Sequence, residues 1–350
     1  MTRRKNAGRG EERPVSLKIL AEYLGLSPAT VSVVLNNVPG RSIPHETRER
    51  VKAAARKFNY QPSLLARSLR KQRSFTVGIL VSELNDGYHT QVMSGIGDTL
   101  MQEGYFYFSA HHRHKADLIE EYPRLLMGRG VDGLIAIDTV LQHELPIPTV
   151  AVAGHKKIKG VTNVVLDHRR AAELALVHLH QLGHRQLAFM RGQPFSADSD
   201  ERWRNIVAVA RELRLPIRPE LTVQLEKDLT SPELGYPVVQ QLLQSKSRFT
   251  AILSFNDIAA IGAIRALRDA HVNVPEDVSI IGFDDIKAAA YHNPSLTTIR
   301  QPLQHMGQSA ARILLQRIQG AKDYPAEFAV APELIVREST GPVSRKERIR

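Results

Sequence analysis

At 350 residues, 43% hydrophobic and 24% charged, the chain is long enough for two or three packed domains and is not a disordered sequence. It has no cysteine, which excludes a disulfide framework and thiolate metal sites. No apolar run reaches membrane-spanning length and residues 1–14 are too polar for a signal peptide, so a cytoplasmic protein with no membrane partner is expected. The net charge of +11 is unevenly placed: residues 1–73 hold 16 Lys+Arg against 5 Asp+Glu, and the remainder holds 31 of each sign. A basic segment joined to a neutral body is the layout of a polyanion-binding module, although a solubilising tail has the same charge.

Taken in chain order, residues 1–14 set Arg3, Arg4, Lys5, Arg9 and Arg13 among Gly and Asn without apolar periodicity, the pattern of a disordered basic arm. Residues 15–60 read as a compact helical unit. Leu17, Leu20, Ala21 and Leu24 recur at helical spacing until Gly25 stops the helix. Ser27 is placed to cap a second helix with Pro28 at its first position, and a third begins after Pro44 with Val51, Ala54, Ala55 and Phe58 on one face. Helix, tight Gly turn, helix is the geometry that lays a second helix in the major groove of DNA. An ordinary helical hairpin uses the same turn, but the local excess of positive charge favours DNA. On that reading Pro28, Ala29, Ser32 and Val33 face outward, Val31, Val34 and Leu35 face inward, and Thr30 can bond a phosphate or base edge. Ser27 and Asn36, at the two ends of this helix, complete the candidate contact set.

Residues 61–74 read as a linker opened by Pro62, with Ser63 placed to cap a short helix through residue 70. From Phe75 onward short apolar runs alternate with amphipathic helices, which predicts βαβ units around parallel sheets. Strands are expected at 76–81, 105–109, 133–137, 149–153, 186–190, 251–254 and 279–282, with helices such as 168–182, 200–213, 236–244 and 258–270 between them. Two runs of similar size predict two like-folded lobes with the switch near 161–165. Ligands of such sheets sit at the carboxyl ends of the strands.

Enzyme chemistry finds little support. No Gly-rich phosphate loop or nucleophile elbow occurs, and the side chains of adjacent acids such as Asp284 and Asp285 diverge. His111-His112-Arg113-His114 lacks a spaced carboxylate or cysteine and reads as a solvated loop. No catalytic residue, metal or cofactor is expected.

Several ordered strings resemble the lactose and purine repressor family of bacterial transcription regulators. They are residues 15–36, Glu46-Thr47-Arg48-Glu49-Arg50-Val51, Asn59-Tyr60-Gln61-Pro62-Ser63 and Ala66-Arg67-Ser68-Leu69. Val131-Asp132-Gly133-Leu134-Ile135 and the segments 251–257, 274–285, 294–299 and 334–339 continue the likeness, which covers roughly residues 15–340. The resemblance implies a small all-α helix-turn-helix headpiece at 15–60 and a hinge-helix linker at 61–74. After these it implies an α/β effector domain of two doubly wound parallel-sheet lobes at 75–340, similar to periplasmic binding proteins, and 341–350 is left as a basic tail. It further implies a repressor whose operator affinity is modulated by a small, carbohydrate-like effector held between the lobes. A solute-binding protein would need no headpiece, and a constitutive nucleoid protein would need no cleft. A homodimer on a pseudo-palindromic operator is expected, because one headpiece reads too few bases for useful specificity.

The resemblance also assigns residues. Leu69 matches the family's minor-groove wedge, and Arg67 and Arg70 beside it favour that role over a core position. Where the family usually places an Arg aimed at a base, this chain has Val33, and residues 38–43 run about two residues longer, so the family's operator sequences do not transfer. Arg202 matches the Arg that pairs with ligand oxygens, although the Gly three residues later is Asn205. Asn85, Asp86 and Tyr88 after the first strand, Asn256 after the strand at 251–254 and Asp284 after the strand at 279–282 complete the candidate effector site. Asp257 stays open between ligand contact and helix-start carboxylate, Asp285 reads as structural, and Trp203 reads as a core residue more than a stacking platform. Ala153 stands where several sugar-binding relatives carry an acid.

Overall fold

The computed structural model describes residues 15–36, 40–61, 68, 72–84, 87–226, 231–245 and 247–344. It divides into two compact units, Met1–Ser74 and Phe75–Arg350. The expected basic arm, most of the linker helix and the last residues of the expected tail lie outside the described residues.

In the first unit α1 (Leu17–Leu24) starts on Ser16, whose Oγ accepts from the Ile19 amide, and stops at Gly25. Gly25 has φ +65°, the left-handed conformation that only glycine adopts cheaply. The chain then turns by 106° into α2 (Pro28–Leu35). After α3 (His45–Lys57) three helices enclose Leu20, Ala21, Val31, Val34, Val51, Ala54 and Ala55, with Phe58 and Tyr60 packed against them. Arg50 donates to the Leu24 carbonyl at 3.3 Å, tying the end of α1 to α3.

The second unit opens with β1 (Thr76–Val81), α4 (Tyr88–Gln102), β2 (Phe106–His111), α5 (Ala116–Gly128), β3 (Gly133–Ile137), β4 (Thr149–Val152) and β5 (Val161–Leu166). It continues with α6 (His168–Gln181), β6 (Leu187–Arg191), α7 (Ala197–Glu212), β7 (Thr222–Gln224), α8 (Tyr236–Gln244), β8 (Ala251–Leu253), α9 (Asp257–Asp269), β9 (Ser279–Asp284), α10 (Lys287–Tyr291) and β10 (Thr297–Arg300). It closes with α11 (Leu303–Ile318), β11 (Glu327–Val330) and β12 (Glu333–Ile335). Two six-stranded sheets result, ordered β11-β5-β4-β3-β1-β2 and β12-β10-β9-β8-β6-β7, parallel except where β12 runs against β10.

Two features differ from the expectation. The segment 161–165 is not the switch but strand β5, wholly inside the first sheet; the chain passes to the second lobe just beyond it. The lobes are also not simply consecutive. After β10 the chain returns, adds α11 and β11 to the first lobe, and goes back to the second as β12. The return is locked by a close helix crossing: a Cβ on Gly95 of α4 would stand 2.0 Å from the Gln304 carbonyl oxygen, and one on Gly307 of α11 would stand 2.1 Å from that of Val92. Only glycine lets these two backbones meet.

Candidate DNA-reading surface and effector cleft

On α2 the Ser27 Oγ accepts from the Thr30 amide at 3.1 Å and lies 2.9 Å from Thr30 Oγ1, so the cap also fixes the Thr30 side chain. Pro28 and Ala29 are exposed, Ser32 and Val33 are half-buried, and Val31 and Val34 are buried. Asn36 folds back on the helix, its amide donating to the Ser32 carbonyl at 2.8 Å. The exposed face is therefore short and largely apolar, suited to thymine methyls and sugar-phosphate contact more than to bidentate guanine readout. Arg67, Leu69 and Arg70 lie outside the described residues.

In the second unit Arg202 projects from α7 and is only 4% exposed. Its guanidinium donates to Asp198 Oδ2 at 3.0 Å and to the Phe255 carbonyl at 2.5 Å, and its carbon lies 3.7 Å from the Phe283 ring centroid and 4.5 Å from that of Phe255. Its Nε is buried with no partner. Asp284, at the end of β9, accepts from Gln301 Nε2 at 2.6 Å, while Gln301 Oε1 is buried and unpartnered. Burial pushes the Asp284 carboxyl up to about 7, against the pull of the nearby Arg202. Tyr88 is half-buried as a residue, but its hydroxyl is enclosed without a partner. Desolvation, then Asp198, Asp138 and Asp284, holds that phenol well above its usual range. Tyr88, Arg202 and Asp284 thus form one buried polar site.

The other expectations separate. Asn256 caps α9, its Oδ1 accepting from the Ala259 amide at 2.8 Å. Asp257 is fully buried and bonds Thr298 Oγ1 at 2.6 Å and the Ile286 amide at 2.8 Å, which makes it a structural bolt across β10 and the segment leading into α10. Asp285 pairs with Arg300 at 2.7 Å and Arg337 at 2.6 Å, the structural role expected of it. Trp203 packs edge-on against Phe189. Asn85 and Asp86 lie outside the described residues.

Several groups in this region escaped the sequence reading. Asp138, directly after β3, accepts from the Ala197 amide at 2.9 Å and so ties the first lobe to the start of α7. The strand-end rule could have found it. His112 is not part of a solvated loop: it is buried, lies 2.9 Å from Thr139 Oγ1, and burial lowers its pKa to about 4. His155, from the loop after β4, and His168, at the start of α6, both contact Asp198 Oδ1, the second at 3.2 Å. Burial alone would raise the Asp198 carboxyl, but the two imidazoles hold it well below its usual range. Nothing in the sequence spacing announces this trio, because it is drawn from three segments.

A small helix-turn-helix unit followed by a two-lobed α/β domain with a buried polar cleft defines a DNA-binding regulator that senses a small molecule. Residues 16–63 match the family described as bacterial regulatory proteins, lacI family, and residues 176–340 match the periplasmic binding protein-like domain. The HTH-type transcriptional repressor PurR of Erwinia tasmaniensis is 31% identical over 333 residues, covering 93% of this chain and 96% of that protein. The Lac repressor dimer bound to operator and the anti-inducer ONPF superposes with a TM-score of 0.82 at 26% identity, covering 94% of this chain and all of that one. A LacI family regulator from Enterococcus faecium with bound ribose gives a TM-score of 0.68 at 28% identity over 77% of this chain and all of that one. The chain belongs to the lacI family of bacterial regulatory proteins: it is a DNA-binding transcription regulator with an effector-binding domain, and the family is not one of enzymes. Among the described residues no single helix is long and apolar enough to cross a membrane.

Proposed function

We propose that the chain represses transcription in the cytoplasm as a homodimer on a pseudo-palindromic operator, and that a polyhydroxylated small molecule, a sugar or close relative, sets its operator affinity from between the lobes. The observation that carries the effector class is the set of enclosed polar atoms without partners, Tyr88 Oη, Arg202 Nε and Gln301 Oε1, beside the Asp284 carboxyl. Buried polar groups are normally satisfied, and a ligand with several hydroxyls can donate to and accept from such a set. The Arg202 guanidinium lies over one face of Phe255 and one face of Phe283, and a flat nucleobase cannot stack on those two faces without displacing it. Asn256 contributes its amide nitrogen, and Asn85 and Asp86, outside the described residues, are carried as effector contacts on the resemblance alone. A thermal-shift screen of aldoses, sugar acids, sugar phosphates and nucleobases tests the class; stabilisation by nucleobases alone would overturn it.

Asp284 gives this site a pH signature. A carboxylate accepts hydroxyl donors better than a carboxylic acid does, so ionisation through about pH 7 should tighten a neutral sugar. The affinity is expected to rise about tenfold between pH 6 and pH 8 and to become flat in Asp284→Asn. Calorimetric titration at both pH values checks this, and equal slopes in the two proteins would remove Asp284 from the site.

On DNA, Ser27, Pro28, Ala29, Thr30, Ser32, Val33 and Asn36 meet the major groove, while Arg67 and Arg70 bind phosphate on either side of a Leu69 wedge. Leu69→Ala removes the wedge but no charge. It should therefore weaken operator binding far more than binding to random DNA, with the salt dependence unchanged. Anisotropy titrations on both duplexes give the answer, and equal losses would deny the wedge.

The dimer face is assigned to β2, an edge strand exposed along almost its whole length. Phe106 and Phe108, 65% and 41% exposed, stand on one side of it with ring centroids 6.0 Å apart. A bare aromatic edge strand invites aggregation unless it is covered, and a second copy of the chain would cover it.

A further inference from the structure

We propose that His155, His168 and Asp198 bind one divalent transition-metal ion of the zinc class, which pins the two lobes of the effector domain together. His155 belongs to the first lobe, in the loop after β4, and His168 and Asp198 belong to the second, in α6 and α7. One donor atom from each residue lies within 4.8 Å of the other two, and the imidazole centroids are 5.2 Å apart. Two imidazoles and a carboxylate suit zinc, cobalt or nickel, and three protein ligands leave a tetrahedral ion one position for water or another oxygen.

Two further observations support the ion. The second oxygen of Asp198 is held by Arg202 at 3.0 Å, the kind of outer contact that orients a ligating carboxylate. His168 is 4% exposed and its Nε2 lies 3.2 Å from Asp198 Oδ1, so its ring is held inside the fold facing the carboxylate. The metal assignment rests on the three donors and their surroundings, and it stands or falls apart from the effector reading.

The test uses full-length, tag-free protein stripped with chelator and dialysed against micromolar zinc or cobalt. One ion per protomer by mass spectrometry is expected, with the visible absorption of tetrahedral cobalt. His155→Ala and His168→Ala should each weaken binding by about 100-fold or more. Because His168 is buried, His155→Asn on the more open loop serves as the second variant, with circular dichroism to show that it is folded. Wild-type protein that retains no ion above a buffer blank would overturn the proposal and leave an imidazole–carboxylate latch in its place. Variants that bind as tightly as wild type would overturn it equally, by placing the ion elsewhere. Neither readout depends on operator or effector.

Discussion

Arg202→Ala is expected to remove the effector response while leaving effector-free operator affinity close to wild type. A ligand changes DNA affinity only through its differential affinity for two conformations of the protein, so a residue that acts through the ligand is silent without it. Losing one partner of a buried, charge-assisted contact should weaken the effector by roughly 2–5 kcal/mol, which is about 30-fold or more in dissociation constant. The structure adds a second consequence. Arg202 is also the guanidinium partner of Asp198 and lies against Phe255 and Phe283. Its removal leaves a buried carboxylate short of a cation, a defect that commonly costs about 3–5 kcal/mol of stability. His155 and His168 remain beside Asp198, so the lower end of that range is expected. Operator titration with and without effector, paired with thermal unfolding, separates the two effects. A variant that responds at the wild-type effector concentration would mean that Arg202 serves only the fold.

Phe106→Arg combined with Phe108→Arg should convert the protein to monomers and weaken operator binding by roughly 100-fold or more, because the second headpiece loses its tether to the first. Both side chains are exposed on one side of β2, so charge there repels a second copy without disturbing a packed core. The monomer should therefore unfold near the wild-type temperature apart from the lost dimer linkage. Sedimentation at micromolar concentration is decisive, and a persistent dimer would move the interface to another face.

The headpiece was legible almost residue by residue because its determinants are local: Gly25 closes α1, and Ser27 and Pro28 open α2. The central strands were equally plain, since strands buried on both faces are short apolar runs, as Val77 to Val81 and Ile135 to Ile137 show. The second and third passages of the chain between the lobes were not legible. β11 is mostly exposed and β12 is three residues long, so neither carries an apolar signature, and their pairing with β5 and β10 is set by long-range contacts. The site divides along the same line. Arg202 and Asp284 follow from a motif and from the strand-end rule, whereas His155, His168 and Asp198 converge only once both lobes are built. Asp257, ambiguous in sequence, is settled by its bonds to Thr298 and Ile286.

The most direct measurement is operator affinity of the full-length protein, by fluorescence anisotropy at fixed salt, titrated with the sugar that most raises its melting temperature. A shift of about 5- to 150-fold at saturation, the usual range of coupling between sites, is expected in wild type and should disappear in Arg202→Ala. Unchanged operator affinity in wild type with the cleft demonstrably filled would contradict control of DNA binding from this site.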